Sequence, residues 1–186
     1  MSTQLQAYAD AHRQSQTRAH RLADSLAPDS FNWTPGPDSW SVAECLAHLN
    51  VVAKAYLPRL EAAVADGAPR AAGPFEYGFM ARKMRGAVVP GGPALRTGAA
   101  LDPSDGGARS ELDKAETLAA FDDHVGRYVA VCEQAEGLDL VRIKVRYPFM
   151  RLLRLPLGAF LDITGLHALR HIGQAERVVD HPSFPA

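Results

Sequence analysis

The helical periodicity of residues 157–179 is the strongest constraint on the fold. Spacings of four and three residues place six side chains on one stripe: Phe160, Thr164, His167, His171, Gln174 and Val178. Such a stripe is typical of a helix that packs against other helices. His167 and His171 then lie one turn apart, about 6 Å along the axis, and both can reach one point. A divalent metal ion could bind there, and two hydrogen-bonded core histidines are the alternative.

Three further segments have the same periodicity and predict long helices. Residues 4–26 contain no Gly or Pro, and their apolar stripe includes His12, for which a packing role is favoured over metal ligation. A second helix begins at Ser41 and ends before Gly67. A third occupies residues 111–135, where His124 borders the stripe and is expected to be a packing or surface residue.

The start of the second helix is indicated by a capping box. Ser41 and Glu44 have the Ser-x-x-Glu spacing in which the hydroxyl and the carboxylate each accept a hydrogen bond from a free backbone amide. Trp40 precedes the cap and can pack on Cys45. His48, about two turns inside this helix, is a third inward histidine. Glu44 lies one turn before it, so the carboxylate either caps the helix only or also supports a metal site.

Residues 67–107 differ from the rest of the chain. They contain nine of the 15 glycines and five of the 13 prolines, so a long regular element does not fit. We expect a crossover that joins two parallel helices, with a short helical piece around residues 75–84. An active-site lid is the alternative.

Residues 138–147 alternate between apolar and basic side chains, which is a strand pattern. A lone strand in a helical chain has no partner, so an extended connection is expected. With Arg151 and Arg154, the basic side chains could contact an anionic substrate group, although a solvated face or surface ion pairs are the simpler interpretation.

Composition limits the class of protein. With 186 residues, 47% hydrophobic and 22% charged, the chain is expected to form one soluble domain over residues 1–186. Its net charge of -1 gives no electrostatic argument for nucleic acid or an acidic membrane. We predict a cytoplasmic protein, because neither a signal peptide nor an apolar run of about 18 residues is present. Cys45 and Cys132 form no C-x-x-C motif.

Four long helices with a long link between the second and the third predict an all-α four-helix bundle with a crossover. Trp-Ser-x-x-Glu-x-x-x-His at residues 40–48, followed by His-x-x-x-His-x-x-Gln at residues 167–174, resembles the DinB/YfiT-like family of metalloenzymes. The resemblance implies that His48, His167 and His171 bind one divalent cation, zinc or nickel. It also implies a homodimer, and some relatives use low-molecular-weight thiols in transfer or isomerisation reactions.

Three neutral imidazoles leave open coordination positions, which is typical of catalytic rather than structural metal sites. We therefore expect a metal-dependent enzyme, thiol S-transferase-like or hydrolase-like, that acts on a small molecule. A non-catalytic metal-binding or structural bundle is the alternative. Gln174, one turn beyond His171, is predicted to support the site, as Glu44 could from the other helix. A di-iron site is disfavoured because the chain has no Glu-x-x-His pair.

Overall fold

The structure, a computed structural model, describes residues 1–67, 69–93, 101, 103, 111–148, 150 and 152–185. This part of the chain contains two short strands, β1 (Lys144–Arg146) and β2 (Arg154–Pro156), and six helices: α1 (Thr3–Asp24), α2 (Pro28–Asn32), α3 (Val42–Ala65), α4 (Phe79–Val88), α5 (Lys114–Gln134) and α6 (Leu157–Val179). The four long helices, α1, α3, α5 and α6, form the predicted bundle. None of the described helices is both long enough and apolar enough to cross a lipid bilayer.

Helices α3 and α5 run parallel, as the length of the link between them predicts. Near their starts, Asn50 Nδ2 donates a hydrogen bond to the carbonyl oxygen of Thr117 at 3.0 Å. Further along both helices, Arg127 Nε donates to Glu61 Oε1 at 2.8 Å. The link must therefore return along the length of the bundle, and it carries α4, which matches the short helical piece expected there.

The last helix lies between the first two long helices. Arg18 Nε on α1 donates to Glu176 Oε1 at 2.9 Å, and residues earlier in both helices also meet, so α1 and α6 are parallel. Tyr56 on α3 packs edge-on against Phe160 with ring centroids 5.5 Å apart, whereas His48 meets His171, so α3 and α6 are antiparallel. Neighbours around the bundle follow the order α1, α6, α3, α5.

The capping box predicted at the start of α3 is present. The Ser41 hydroxyl accepts from the Glu44 amide at 3.0 Å, and Glu44 Oε2 accepts from the Ser41 amide at 2.7 Å. Both side chains are buried, so a fixed cap orients the first turns of α3. Trp40 and Cys45 belong to one apolar cluster, in agreement with the packing expected from their positions.

The expectation of an unpaired extended connection after α5 was wrong. Strand β1 pairs antiparallel with β2, and Arg146 lies opposite Arg154. The partner was missed because β2 has only three residues and leads directly into α6. Its Leu155 is buried with Val145 of β1, so the hairpin packs one face on the bundle. The short helix α2 begins with Pro28, whose missing amide hydrogen is tolerated in the first helical turn.

Candidate metal centre

Three histidines from two antiparallel helices meet on one side of α6. His48 comes from α3, and His167 and His171 come from successive turns of α6. The Nε2 atom of His167 lies 3.4 Å from Nε2 of His48 and 3.1 Å from Nε2 of His171. Each ring offers one nitrogen, and these atoms all lie within 4.8 Å of one another. The helical spacing thus brings together the three residues that the sequence singled out.

The crossover fixes the orientation of His48. Its Nδ1 atom lies 2.7 Å from the carbonyl oxygen of Leu101. A carbonyl can only accept, so Nδ1 carries the hydrogen, and in the neutral ring the lone pair is on Nε2, the atom 3.4 Å from His167 Nε2. Metal-bound histidines characteristically donate their second ring nitrogen in this way. Sequence reasoning missed Leu101 because a backbone carbonyl leaves no side-chain signal.

Two of the three rings, His167 and His171, favour the neutral state. Burial lowers the pKa of His167 well below its usual value, and nearby His171 and His48 lower it further. Burial is also the main cause that lowers the pKa of His171 to about 3, with His48 as a second cause. Neutral imidazole is the form that binds a metal ion. Arg170 adds to the positive potential at both rings.

Trp40 forms one wall of the centre. Its ring lies 4.9 Å from His48 and 5.6 Å from His171, centroid to centroid, and its plane is tilted by 30° from that of His171. The indole covers both imidazoles and shields that side from water. From sequence, Trp40 was interpreted only as a packing residue beside the cap. Its place in the motif that carries both Glu44 and His48 is the signal that could have identified it.

Gln174 and Glu44, the two residues considered as supports of the metal site, have different hydrogen-bond partners. The Gln174 side chain lies within hydrogen-bonding range of His171 and partly offsets the lowering of its pKa. Nevertheless His171 Nδ1 is buried and has no hydrogen-bond partner of regular geometry among the described residues. A carboxylate oxygen of Glu44 is engaged with the Ser41 amide. Support of the metal site by Gln174 therefore remains a prediction, whereas capping is the role of Glu44 that the hydrogen bonds show.

Other histidines lie outside the group. His12 is buried on α1 and stacks on Tyr128, with centroids 4.3 Å apart and planes 8° apart. His124 is buried and Nδ1 donates to Asn50 Oδ1 at 2.9 Å, so it is a packing residue as expected. His20 Nε2 lies 2.8 Å from Asp122 Oδ1 near the surface.

A pocket of about 290 Å³ lies between α1, α4 and α6. It is lined in part by Gln4, Tyr8, Phe75, Tyr77, Asp162 and Ile163. The two tyrosine hydroxyls are 3.0 Å apart, and Gln4 Nε2 donates to Tyr8 Oη at 2.8 Å. Ile163 precedes His167 by one helical turn, or about 6 Å along the axis. The pocket therefore borders the turn of α6 that precedes His167, although none of the three histidines lines it.

The donor set fits a divalent metal ion. Zinc binds imidazole nitrogen at about 2.0–2.1 Å, so two nitrogens on one ion lie roughly 3 to 3.5 Å apart. Both separations from His167 Nε2, 3.4 Å and 3.1 Å, are in this range. Without a proton or a cation between them, the lone pairs of three neutral rings would repel one another. The group could therefore hold one ion and leave further positions open.

Comparisons with known proteins agree with this arrangement. The sequence model of the DinB superfamily matches residues 11–175. The fold is similar to that of YfiT from Bacillus subtilis, described as a probable metal-dependent hydrolase with an unusual four-helix bundle topology. The two structures superpose with a TM-score of 0.59 at 12% sequence identity, over 97% of this chain and 89% of the other. A search of curated proteins finds no match. With most of its length matched, the chain belongs to the DinB superfamily.

Proposed function

We propose that this protein is a divalent-metal-dependent enzyme that acts on a small molecule, with His48, His167 and His171 as the metal ligands. The observation that carries the proposal is the convergence of three ring nitrogens, with the tautomer of His48 fixed by the Leu101 carbonyl. Three protein ligands leave positions open for water or substrate, which is the pattern of catalytic rather than structural sites.

The bound ion would polarise a substrate oxygen or lower the pKa of a bound water or thiol. The chain itself positions the ligands and limits the access of water. Leu101 orients one imidazole, Trp40 covers two of them, and the antiparallel helices hold the rings in place. Rigid packing of this kind keeps the donor atoms at fixed separations, which favours an ion of matching size.

We propose hydrolysis as the first reaction class and thiol transfer as the second. The fold neighbour's description as a probable metal-dependent hydrolase supports the first. The family resemblance supports the second, but the chain supplies no thiolate of its own. Burial raises the pKa of Cys132 to about 12, and it also raises the pKa of Cys45. In a transfer reaction the thiol would therefore come from the substrate side.

The pocket between α1, α4 and α6 supports a small substrate. Its volume of about 290 Å³ is near the lower end of the range for ligand sites. Phe75 and Ile163 give this pocket apolar walls, and Tyr8 and Tyr77 supply hydroxyl groups. Charged side chains also line it: Glu76, Arg82, Arg85 and Asp162. Because Ile163 lies one turn from His167, a substrate group held there could extend to the metal centre.

Metal content and turnover test the proposal together. Protein purified without a His tag is analysed for zinc and nickel, stripped with a chelator and reloaded with each ion. Activity on a panel of simple esters and amides, and on thiols with electrophiles, is then compared between wild type and His48→Ala. We expect one ion per chain, and activity that chelation and His48→Ala both abolish. Stoichiometric metal with no turnover in any assay would favour the non-catalytic alternative.

We also propose that the protein is a cytoplasmic homodimer, as the sequence led us to expect. Light scattering during size-exclusion chromatography measures the mass in solution. A mass equal to that of one chain, 20.1 kDa, would contradict the dimer.

A further inference from the structure

The outward face of the β1–β2 hairpin is strongly basic. Lys144 and Arg146 are exposed on β1, and Arg154 is exposed on β2, whereas Val145 and Leu155 between them are buried. Arg146 lies directly opposite Arg154 in the antiparallel register. Like charges in this position destabilise a strand pair. The sequence therefore maintains an unfavourable local arrangement on a surface that packs against nothing in the described chain.

No carboxylate neutralises this face within the part of the chain that the structure describes. The ion pairs found there join Arg13, Arg18, His20, Arg85 and Arg127 to acidic partners and include none of the three hairpin cations. Among the described residues, Arg13, Arg18, Arg85 and Arg127 thus have acidic partners, whereas Arg146 and Arg154 have none. Because the net charge of the chain is -1, this concentration of charge is local.

Exposed apolar side chains surround the same region. Leu152, in the connection between the strands, is 99% exposed and Met150 is 58% exposed. Phe79 and Met80, the first residues of α4, are 71% and 48% exposed, and α4 contacts β2. Apart from Met1, these four are all of the exposed large apolar residues in the described ranges. Exposed apolar groups concentrated in one region mark interaction surfaces.

We propose that the hairpin binds the surface of an anionic lipid bilayer. Leu152 and Met150 would enter the boundary between head groups and acyl chains, while Arg146 and Arg154 remain at the depth of the acidic head groups. Cations beside exposed apolar groups suit this interface, because the cations are attracted to acidic head groups and the apolar groups insert beneath them. Duplex DNA would use the cations but would leave Leu152 and Met150 exposed. This contact is peripheral and is separate from the proposed enzymatic function.

The test uses the full-length protein and vesicles of phosphatidylcholine, with or without about 30% phosphatidylserine, in co-sedimentation. We expect binding only to the anionic vesicles, and binding that weakens as salt is added. Arg146→Gln and Arg154→Gln should each weaken it about fivefold, as expected for one cation near an acidic membrane. Leu152→Ser should also weaken binding. These side chains are exposed, so thermal melts should show that every variant remains folded.

Arg59→Gln is the matched control, because Arg59 is exposed on α3 and its replacement changes the net charge equally. It should bind anionic vesicles as wild type does. Equal weakening by Arg59→Gln and Arg146→Gln would overturn the proposal, as would absence of vesicle binding at low salt. Tighter binding to a DNA duplex than to anionic vesicles would also overturn it. Loss of metal does not enter this test, so its outcome is independent of the proposed enzyme.

Discussion

The Nδ1 atom of His48 lies 2.7 Å from the carbonyl oxygen of Leu101, 53 residues further along the chain. The crossover therefore determines which nitrogen of this ring carries the hydrogen. We predict that His48 in the metal-free protein is the Nδ1–H tautomer. Nitrogen-15 NMR of the imidazole region measures this, with the His48 signal assigned by its loss in His48→Gln. A ring protonated at Nε2 would contradict the role assigned to Leu101.

Metal should stabilise the wild-type protein and should stabilise His167→Ala much less. His167 Nε2 is the atom that lies within 3.4 Å of both other ligands, so its removal leaves only two donors. When the free metal concentration is about 100 times the dissociation constant, one bound ion adds about 2.7 kcal/mol to the unfolding free energy of the wild type. Thermal melts with and without Zn²⁺ or Ni²⁺ measure the difference. His20→Ala is the control, and metal should raise its melting temperature as much as that of the wild type. Equal increases for the wild type and His167→Ala would show that the metal binds elsewhere.

Replacing Glu44 separates capping from metal support. Gln can accept from the Ser41 amide as Glu does, so Glu44→Gln should keep both the stability and the metal affinity of the wild type. Glu44→Ala keeps the bond to the Ser41 hydroxyl but removes the acceptor of the Ser41 amide, and should cost about 1 kcal/mol of unfolding free energy. Urea unfolding and metal titration are the measurements. A tenfold loss of metal affinity in Glu44→Gln at unchanged stability would show that the carboxylate supports the site.

Burial of His12 should make the protein sensitive to acid. Burial lowers the pKa of His12 to about 3, whereas in the unfolded chain it is about 6.5. The unfolded state therefore binds more protons between these values, so this contribution to stability is complete above pH 6.5 and falls as the pH decreases. The slope approaches about 1.4 kcal/mol per pH unit.

The variant His12→Phe keeps a ring against Tyr128 and cannot titrate. Urea unfolding of both proteins between about pH 7 and pH 5 should give a shallower pH dependence for the variant. Other buried histidines, such as His124, contribute equally to the pH dependence of both proteins, so their effect cancels in the comparison. Identical slopes would contradict a neutral buried His12.

Gly158 should be intolerant of a side chain. A Cβ atom added there would overlap the Tyr77 hydroxyl and lie 2.9 Å from Leu140 Cβ. Ala favours helix over Gly by about 1 kcal/mol, yet we expect Gly158→Ala to destabilise the protein by about 1–3 kcal/mol because of overpacking. Gly126→Ala on α5 is the control, since no atom lies within 4 Å of its added Cβ. The control should be stabilised, and similar gains in both variants would refute the close packing at Gly158.

The parts of the fold that depend on local sequence were predictable. The Ser41–Glu44 box specified where α3 begins, and both of its hydrogen bonds are present. The spacing of His167 and His171 placed both rings on one stripe of α6, and the parallel arrangement of α3 and α5 followed from the length of the link. In each case the information lies in residues that are neighbours on one helix or in the reach of the chain.

The parts that depend on tertiary contacts were not predictable. Strand β2 is too short to have a period of its own, and only its pairing with β1 identifies it. Leu101 contributes a main-chain atom, which every residue possesses, so its type says nothing about its role. Trp40 had a sufficient explanation as an apolar residue beside the cap. Its contacts with His48 and His171 require the antiparallel packing of α3 and α6.

The separation of the ligands along the chain has a kinetic consequence. His48 and His167 are 119 residues apart, so their rings meet only after α6 has docked on α3. Contacts of such long range incur a large loop-closure cost before they contribute, so we expect them to form late in folding. An ion bound there would then stabilise the native state more than the transition state. Its main effect would be to slow unfolding, so that the loaded protein outlasts the metal-free one without folding faster.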